Sequence, residues 1–362
     1  MNVQSQQDWF SMSREIYPEN SKTAVNRAGA RLAKGEATSV DLAIIENWRA
    51  AHNYVLNTFQ ATLRTRAKKT NARTPVQRIK RLETIKNKLV RFPDMQFSRM
   101  HDIVGCRVIF ETIEELVQFR DSFNKSRFTH KRRVKQLEDG AKADAYNYIR
   151  QPKPSGYRGI HDVFEYKAKQ SGRGRATGGD KWNGLHLEIQ YRTRVQHAWA
   201  TAVEICDNFT DNHGKFSSAP DDYLRYFVLA SEMLARCFES DQTRQLEVDN
   251  AELIREFNFI ESQHGMLDTL RGIQPSQEDF AVDRHTLLIF NENGEGTNVR
   301  TYSDFRSAVR AYFELERTKA DGIDVVLVAA DDPESVRFGF RNYFSDAREF
   351  VSMIDTAIGV LS

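Results

Sequence analysis

At 362 residues, with 40% hydrophobic and 28% charged residues, the chain is long enough for two or three domains around a sizeable core. No apolar run approaches the roughly eighteen residues of a membrane span and the start carries no basic-then-apolar signal, so a cytoplasmic protein with no membrane partner is expected. The net charge of +2 and three scattered cysteines (Cys106, Cys206, Cys237) with no CxxC pair give no sign of a zinc site or disulfide framework, and each cysteine reads as a small core residue.

In chain order, residues 1 to about 20 lack periodicity, and Ser21 to Leu32 reads as a helix. Thr38 and Ser39 cap an apolar stripe through Val40, Ala43, Ile44, Trp48 and Ala51 that runs on to Leu63, which predicts a long helix. Pro75 is expected to open a second helix, Val76 to Leu89. Between Arg64 and Arg91 stand eleven Lys or Arg against the single acid Glu83; Lys125 to Lys135 and Lys167 to Lys181 are two further basic blocks. Each suits a phosphate-bearing partner or simply water.

Asp102 to Phe110 predicts a buried strand with a carboxylate at its start, and Thr112 with Glu115 has the capping-box spacing for a helix to Phe123. Val134 to Leu137 is a short strand candidate. The prolines and glycines of Tyr148 to His161 make a loop feeding a strand from Ile160 to Tyr166. Ser171 to Gly184 is a glycine-rich connection into Leu185 to Arg192. That last stretch organises the chain. At a period of two, Leu185, Leu187, Ile189 and Tyr191 form an apolar face and His186, Glu188, Gln190 and Arg192 a wholly polar one. The helix after it carries His197, Thr201 and Glu204 along one side.

Beyond residue 210, Asp221 to Ser240 and Asn250 to Leu270 read as amphipathic helices and Ile273 to Glu278 as a linker. A strand, helix, strand, helix pattern follows at His285 to Asn291, Ser303 to Thr318, Asp324 to Ala330 and Phe340 to Val360. The expected organisation is an N-terminal helical segment (1–39), a central domain (40–210), a helical extension (211–275) and a small α/β domain (276–362).

Four motifs in order carry a resemblance: Arg78-x-Lys80-x-x-x-Thr84-Ile85-x-x-Lys88, Asp102-x-x-Gly105-x-Arg107, Pro152-Lys153-x-x-Gly156-Tyr157-Arg158-x-x-His161, and Glu188-Ile-Gln190-x-Arg192-Thr193. Together they resemble the synthetase domain of the RelA/SpoT superfamily over roughly residues 40 to 210. The resemblance implies an α/β (α+β) fold, a mixed β-sheet flanked by helices related to nucleotidyltransferases. It implies transfer of pyrophosphate from ATP to a ribose 3′-hydroxyl, on GDP or GTP, with Mg²⁺ as cofactor.

Residue by residue, the resemblance makes Asp102 and Glu188 the metal carboxylates, with Glu188 also placed to take the hydroxyl proton. Arg78, Lys80, Lys88 and Arg107 match ATP-binding positions. Arg107 has opposite strand parity to Asp102, so pairing with an acid is its other reading. Tyr157, His161, Gln190 and Arg192 match acceptor-binding positions, with His197 and Glu204 in support. Gly159 stands where many relatives carry serine and Tyr191 where an aliphatic residue is usual, which leaves the acceptor open. Toxic small synthetases of this fold modify the 3′ end of tRNA, and the basic blocks suit RNA as well as ATP. A non-catalytic RNA-binding module on the same fold is the third reading.

His101-Asp102 and His161-Asp162 both fall within synthetase motifs and lack the remaining acids and histidines of a metal-dependent phosphohydrolase, so synthesis without degradation is expected. The small C-terminal domain is expected to regulate, with an antitoxin or trigger protein as a possible partner. The oligomeric state is left open.

Overall fold

The computed structural model describes residues 16–73, 75–137, 142–169, 178–213, 220–239, 245–273, 285–291, 297–320, 322–328 and 333–362. Helix α1 (Lys22–Lys34) is capped by the Ser21 hydroxyl and ends at Gly35 in the left-handed region (φ 73°), where glycine carries no Cβ penalty. Helix α2 (Ser39–Ala67) starts in a complete capping box: Thr38 accepts from the Asp41 amide and the Asp41 carboxylate accepts from that of Thr38. Its middle is buried on nearly every side, from Trp48 through Asn57, because it crosses the back of a sheet and is covered again by α1.

That sheet contains β1 (Val76–Ile79), β2 (Val104–Phe110), β3 (Lys131–Arg132), β6 (Ile160–Glu165) and β7 (His186–Thr193) in the order β1-β2-β7-β6-β3. β2 and β7 are parallel, and every other neighbouring pair is antiparallel, so the sheet is mixed. β4 (Val134–Gln136) and β5 (Lys142–Asp144) make a separate ribbon. The α/β architecture with flanking helices is the expected one. The polar and apolar faces of β7 also separate as read: Leu187, Ile189 and Tyr191 are fully buried, whereas His186, Glu188 and Gln190 are half-buried. Arg192 departs from this alternation and is buried at 5% exposure.

The expected helix from Val76 to Leu89 is a correction. Val76–Ile79 is a strand paired with β2, and only Leu82–Arg91 is helical (α3). The open edge of β2 supplies backbone partners for Val76–Ile79, and this pairing overrides local preference. Lys80 and Lys88 therefore do not share a helix face. Three smaller departures follow ordinary end effects. Helix α4 (Ile113–Asn124) is capped by Thr112, but the Glu115 carboxylate accepts from the Glu111 amide instead of completing the box. Gly265, at φ 61°, splits the expected 250–270 helix into α7 (Asn250–His264) and α8 (Met266–Gly272). The expected Phe340–Val360 helix is a 3-10 turn (Arg341–Phe344) followed by α11 (Arg348–Leu361). The basic connection 170–177 and most of the 273–278 linker lie outside the described residues.

A second apolar core joins α5 (Arg194–His213), α6 (Pro220–Phe238), α7, α8 and α11, through residues such as Trp199, Phe227, Phe257 and Phe350. A three-stranded antiparallel sheet, β10-β8-β9, is built from β8 (Thr286–Asn291), β9 (Thr297–Thr301) and β10 (Ile323–Val328); β9 is a strand absent from the sequence reading. With α9 (Phe305–Thr318) and α10 (Pro333–Gly339) it forms a small unit whose core takes in Val76 from β1. No described helix is long and apolar enough to cross a membrane.

The unit is anchored by buried charge. Arg49, fully buried on α2, pairs with Glu316 of α9 at 2.6 Å and donates to the Lys80 carbonyl at 2.7 Å. Removing one member of such a pair strands the other: Arg49→Ala is expected to destabilise the chain by about 3–5 kcal/mol, read from chemical denaturation.

Candidate active site

The front of the sheet gathers the predicted residues from five elements, β1, α3, β2, β6 and β7, and the loops beside them. Lys80, just past β1, is held by its amide on the Ile103 carbonyl, and its ammonium reaches Asp102 at 2.9 Å. Lys88, two turns along α3, reaches the other Asp102 oxygen at 2.7 Å. Burial raises the Asp102 pKa, but the two lysines outweigh it and hold the carboxyl below its ordinary range. Glu188 raises it as a like charge, because Gly105 of β2 pairs with Glu188 of β7 and brings the two acids to one cleft. A Cβ at Gly105 would lie 3.2 Å from the Glu188 carbonyl.

Glu188 begins a buried chain. Its Oε1 accepts from Gln190 Nε2 at 2.7 Å, and its Oε2 is 3.3 Å from His161 Nδ1. His161 Nε2 is 2.6 Å from the Tyr157 hydroxyl, which also accepts from Arg192 Nε at 3.2 Å. Burial opposes ionisation all along the chain, yet the partners win. Tyr157 and Glu188 push the His161 imidazole up; His161 and then Gln190 push the Glu188 carboxyl down. Arg192 and His161 draw the Tyr157 phenol below its usual value. The carboxylate of Glu188 and the imidazolium of His161 thus stabilise one another in the cleft, and the Tyr157 phenol beside them loses its proton more easily than a free tyrosine. As a proton acceptor Glu188 must be ionised, and its lowered pKa keeps it so well below neutral pH. His161→Gln removes the main cause, so the acid limb of the pH–rate profile is expected to move up toward the ordinary glutamate value near 4.5.

Arg78 on β1 lies opposite Gly105 and lines a cavity of about 270 Å³ together with Lys80, Thr84 and Glu204. Tyr343 and Asn342 of the small C-terminal unit close the same cavity. Burial lowers the Arg78 pKa and Tyr343, Glu204, Asp102 and Glu188 more than restore it. Among the described residues Arg107 forms no ion pair with an acid. It is buried, donates from Nη1 to the Gly339 carbonyl at 2.9 Å, and leaves Nε without a partner among the described residues. Burial and the neighbouring Arg192 both press its pKa down. His197 bonds the Phe338 carbonyl at 2.8 Å and so faces the C-terminal unit.

Residues 77–207 match the family model described as the region found in RelA / SpoT proteins. This segment matches the RelA/SpoT region. It spans β1 to α5 and contains every predicted site residue. The segment's relatives include GTP pyrophosphokinase YwaC of Bacillus subtilis (strain 168), 29% identical over 130 residues, covering 34% of this chain and 52% of that protein. The chain thus spans about half the length of this curated relative. Among solved structures, small alarmone synthetase 2 from Bacillus subtilis is 22% identical with a TM-score of 0.39, covering 52% of this chain and 91% of that one. Small alarmone synthetase 1 from the same organism, bound to its product pppGpp, is 18% identical with a TM-score of 0.34, covering 62% and 93%.

Several residues around the RelA/SpoT region carry no sequence signal of a role. Glu316 accepts from the Leu82 amide at 2.9 Å and so caps α3, whose own N-cap residue, Arg81, makes no side-chain cap. Tyr343 and Gly339 reach Arg78 and Arg107 from some 230 residues away or more. Among the described residues no group of three or more His, Cys, Asp or Glu is placed to hold a metal alone. Asp102 and Glu188 do suit Mg²⁺, which takes one or two carboxylates and completes its shell with phosphate oxygens and water.

Proposed function

We propose that this chain is a pyrophosphokinase that moves the β,γ-pyrophosphoryl group of ATP to the ribose 3′-hydroxyl of GDP or GTP. The observation that carries this reading is the meeting of two lysines, two carboxylates and the Glu188–His161–Tyr157 chain in one cleft of a RelA/SpoT region. Lys80, Lys88, Arg78 and Arg107 bind and align the triphosphate; Arg107, whose charge burial, Arg192 and Arg78 disfavour more than Glu204 offsets, gains most from an anion. Tyr157 offers its ring to the acceptor base, while Arg192 and His161 fix its hydroxyl. Glu188 takes the 3′-hydroxyl proton as that oxygen attacks the β-phosphorus; the bond from the β-phosphorus to the α–β bridging oxygen breaks and AMP leaves. Mg²⁺, when bound at Asp102 and Glu188, supplies neutralising charge on the phosphates.

The reading is of synthesis alone. Asp162 is consumed by a buried pair with Arg120 at 2.7 Å, and His161 by Glu188, so this His-Asp sequence is not free to build a second metal centre. The small C-terminal unit is read as a restraint, because the Gly339 carbonyl occupies an Arg107 donor and Tyr343 lines an Arg78 cavity of about 270 Å³, below the ~300–1,000 Å³ usual for ligand sites. A trigger that lifts it would open the ATP side.

A tRNA 3′ end is the second reading of the acceptor. It is favoured by Arg133, whose Nη1 lies 3.4 Å from His101 Nε2 and so brings the second basic block beside Asp102. Anion-exchange analysis of AMP release with GDP, GTP or deacylated tRNA decides between them. AMP with tRNA alone moves the acceptor to RNA, and AMP with none favours a non-catalytic RNA-binding role.

A further inference from the structure

Tyr157 stands on a loop, and what fixes that loop comes from outside the RelA/SpoT region. Helix α6, at residues 220–238, presents one turn to it. Gly156, at φ 84°, approaches so closely that a Cβ there would lie 3.0 Å from the Phe227 carbonyl oxygen and from the Val228 Cα, and 3.2 Å from the Ser231 Cβ. Ser231 Oγ donates to the Gly156 carbonyl at 2.6 Å and accepts from Arg158 Nε at 2.9 Å. Glu232, fully buried, accepts from Arg158 Nη2 at 3.0 Å, from Arg236 Nε at 2.9 Å and from the Gln245 amide at 2.8 Å. Gln245 in turn donates to the Lys153 carbonyl at 3.1 Å. Trp199, edge-on to the Tyr157 ring at 6.3 Å, donates to the Phe227 carbonyl.

A buried arginine–glutamate pair is costly unless its geometry is complete; here Glu232 holds Arg158 just after Tyr157, and Ser231 holds the Gly156 carbonyl just before it. We infer that Ser231, Glu232 and Arg158 are positioning residues for acceptor binding: α6 clamps the backbone on either side of Tyr157 and so sets where its ring and hydroxyl stand against the cleft. The helical extension is then part of the acceptor site. This rests on the reading of Tyr157 as the acceptor-base contact. It differs from a purely structural role in what it moves: a loosened Tyr157 weakens the acceptor and leaves the ATP side, built on β1, β2 and α3, unaffected.

The test uses the full chain and three variants. Ser231→Ala removes one oxygen, Glu232→Gln keeps the shape but removes the charge, and Met233→Ala opens a cavity in the same helix away from the loop. Ser231→Ala is expected to raise the KM for GDP about tenfold while kcat and the KM for ATP stay within about twofold, with Glu232→Gln larger in the same direction. Met233→Ala lowers Tm and moves neither KM. Ultraviolet titration of the phenols gives a second readout that needs no turnover: the low-pH tyrosinate step lost in Tyr157→Phe is expected to move up in Ser231→Ala. An unchanged GDP KM and an unmoved step in Ser231→Ala overturn the inference, as does a parallel rise in both KM values. If the wild type transfers nothing to GDP, the acceptor reading fails, and the tyrosinate step alone still decides whether α6 positions Tyr157.

Discussion

Glu188→Ala is expected to lower pyrophosphoryl transfer about 10³-fold with little change in either KM. On the proposed mechanism the change removes the proton acceptor and one of the two carboxylates of the metal site, and it leaves His161 buried without its anion. Glu188→Gln separates these effects. The amide preserves volume and can still meet His161 and Gln190, yet it cannot take a proton, so it is expected to be nearly as inactive as Ala while folding as the parent does. Initial rates of AMP release at saturating ATP and acceptor, beside a thermal melt, read both. A Gln variant within about tenfold of the parent would remove Glu188 from the role of base.

Tyr343→Ala is expected to do the reverse and raise transfer by the full chain about tenfold or more. Tyr343 stacks on Phe290 at 4.7 Å, lies beneath the Arg81 guanidinium, and closes the cavity around Arg78. Removing the ring enlarges that cavity and weakens the seat of the 3-10 turn. If the closed arrangement dominates, each ~1.4 kcal/mol taken from it gives tenfold more open chain. Deleting the whole C-terminal segment is a poorer experiment, because α11 packs into the core of α5–α8 through Phe350 and Ile354 and its loss would expose that core. Steady-state rates with varied ATP are the readout. A KM for ATP that falls as the rate rises fits a lifted restraint; unchanged or lower activity in Tyr343→Ala contradicts it.

The parts legible in the sequence were those set locally. Strand β7 announced itself by alternation and α2 and α4 by Thr38 and Thr112, whereas Asp102 and Glu188 stood out only through the motifs that resemble a known family. Lys80 and Lys88 were grouped by the motif they match, on a stretch expected to be one helix. They meet at Asp102 because a strand end and a helix converge there, not because one helix face carries both. β1 was misread because a four-residue run beside a proline has little preference of its own, and its partner in β2 is nearly thirty residues away. What closes the site was illegible in principle. Glu316 on Leu82, Gly339 on Arg107 and Ser231 on Gly156 are ordinary residues at ordinary positions until the chain folds back. Gly156 had a local signal, a glycine before an aromatic in a loop, but not the helix it meets.

The most direct test of the account is to incubate the full chain, and its Tyr343→Ala variant, with γ-labelled ATP, Mg²⁺ and separately GDP, GTP and deacylated tRNA, with Glu188→Gln as the control. The account predicts label on GDP or GTP with stoichiometric AMP, stronger in Tyr343→Ala and absent in Glu188→Gln. Label on no acceptor in either active-site-intact protein, or label that persists in Glu188→Gln, would contradict it.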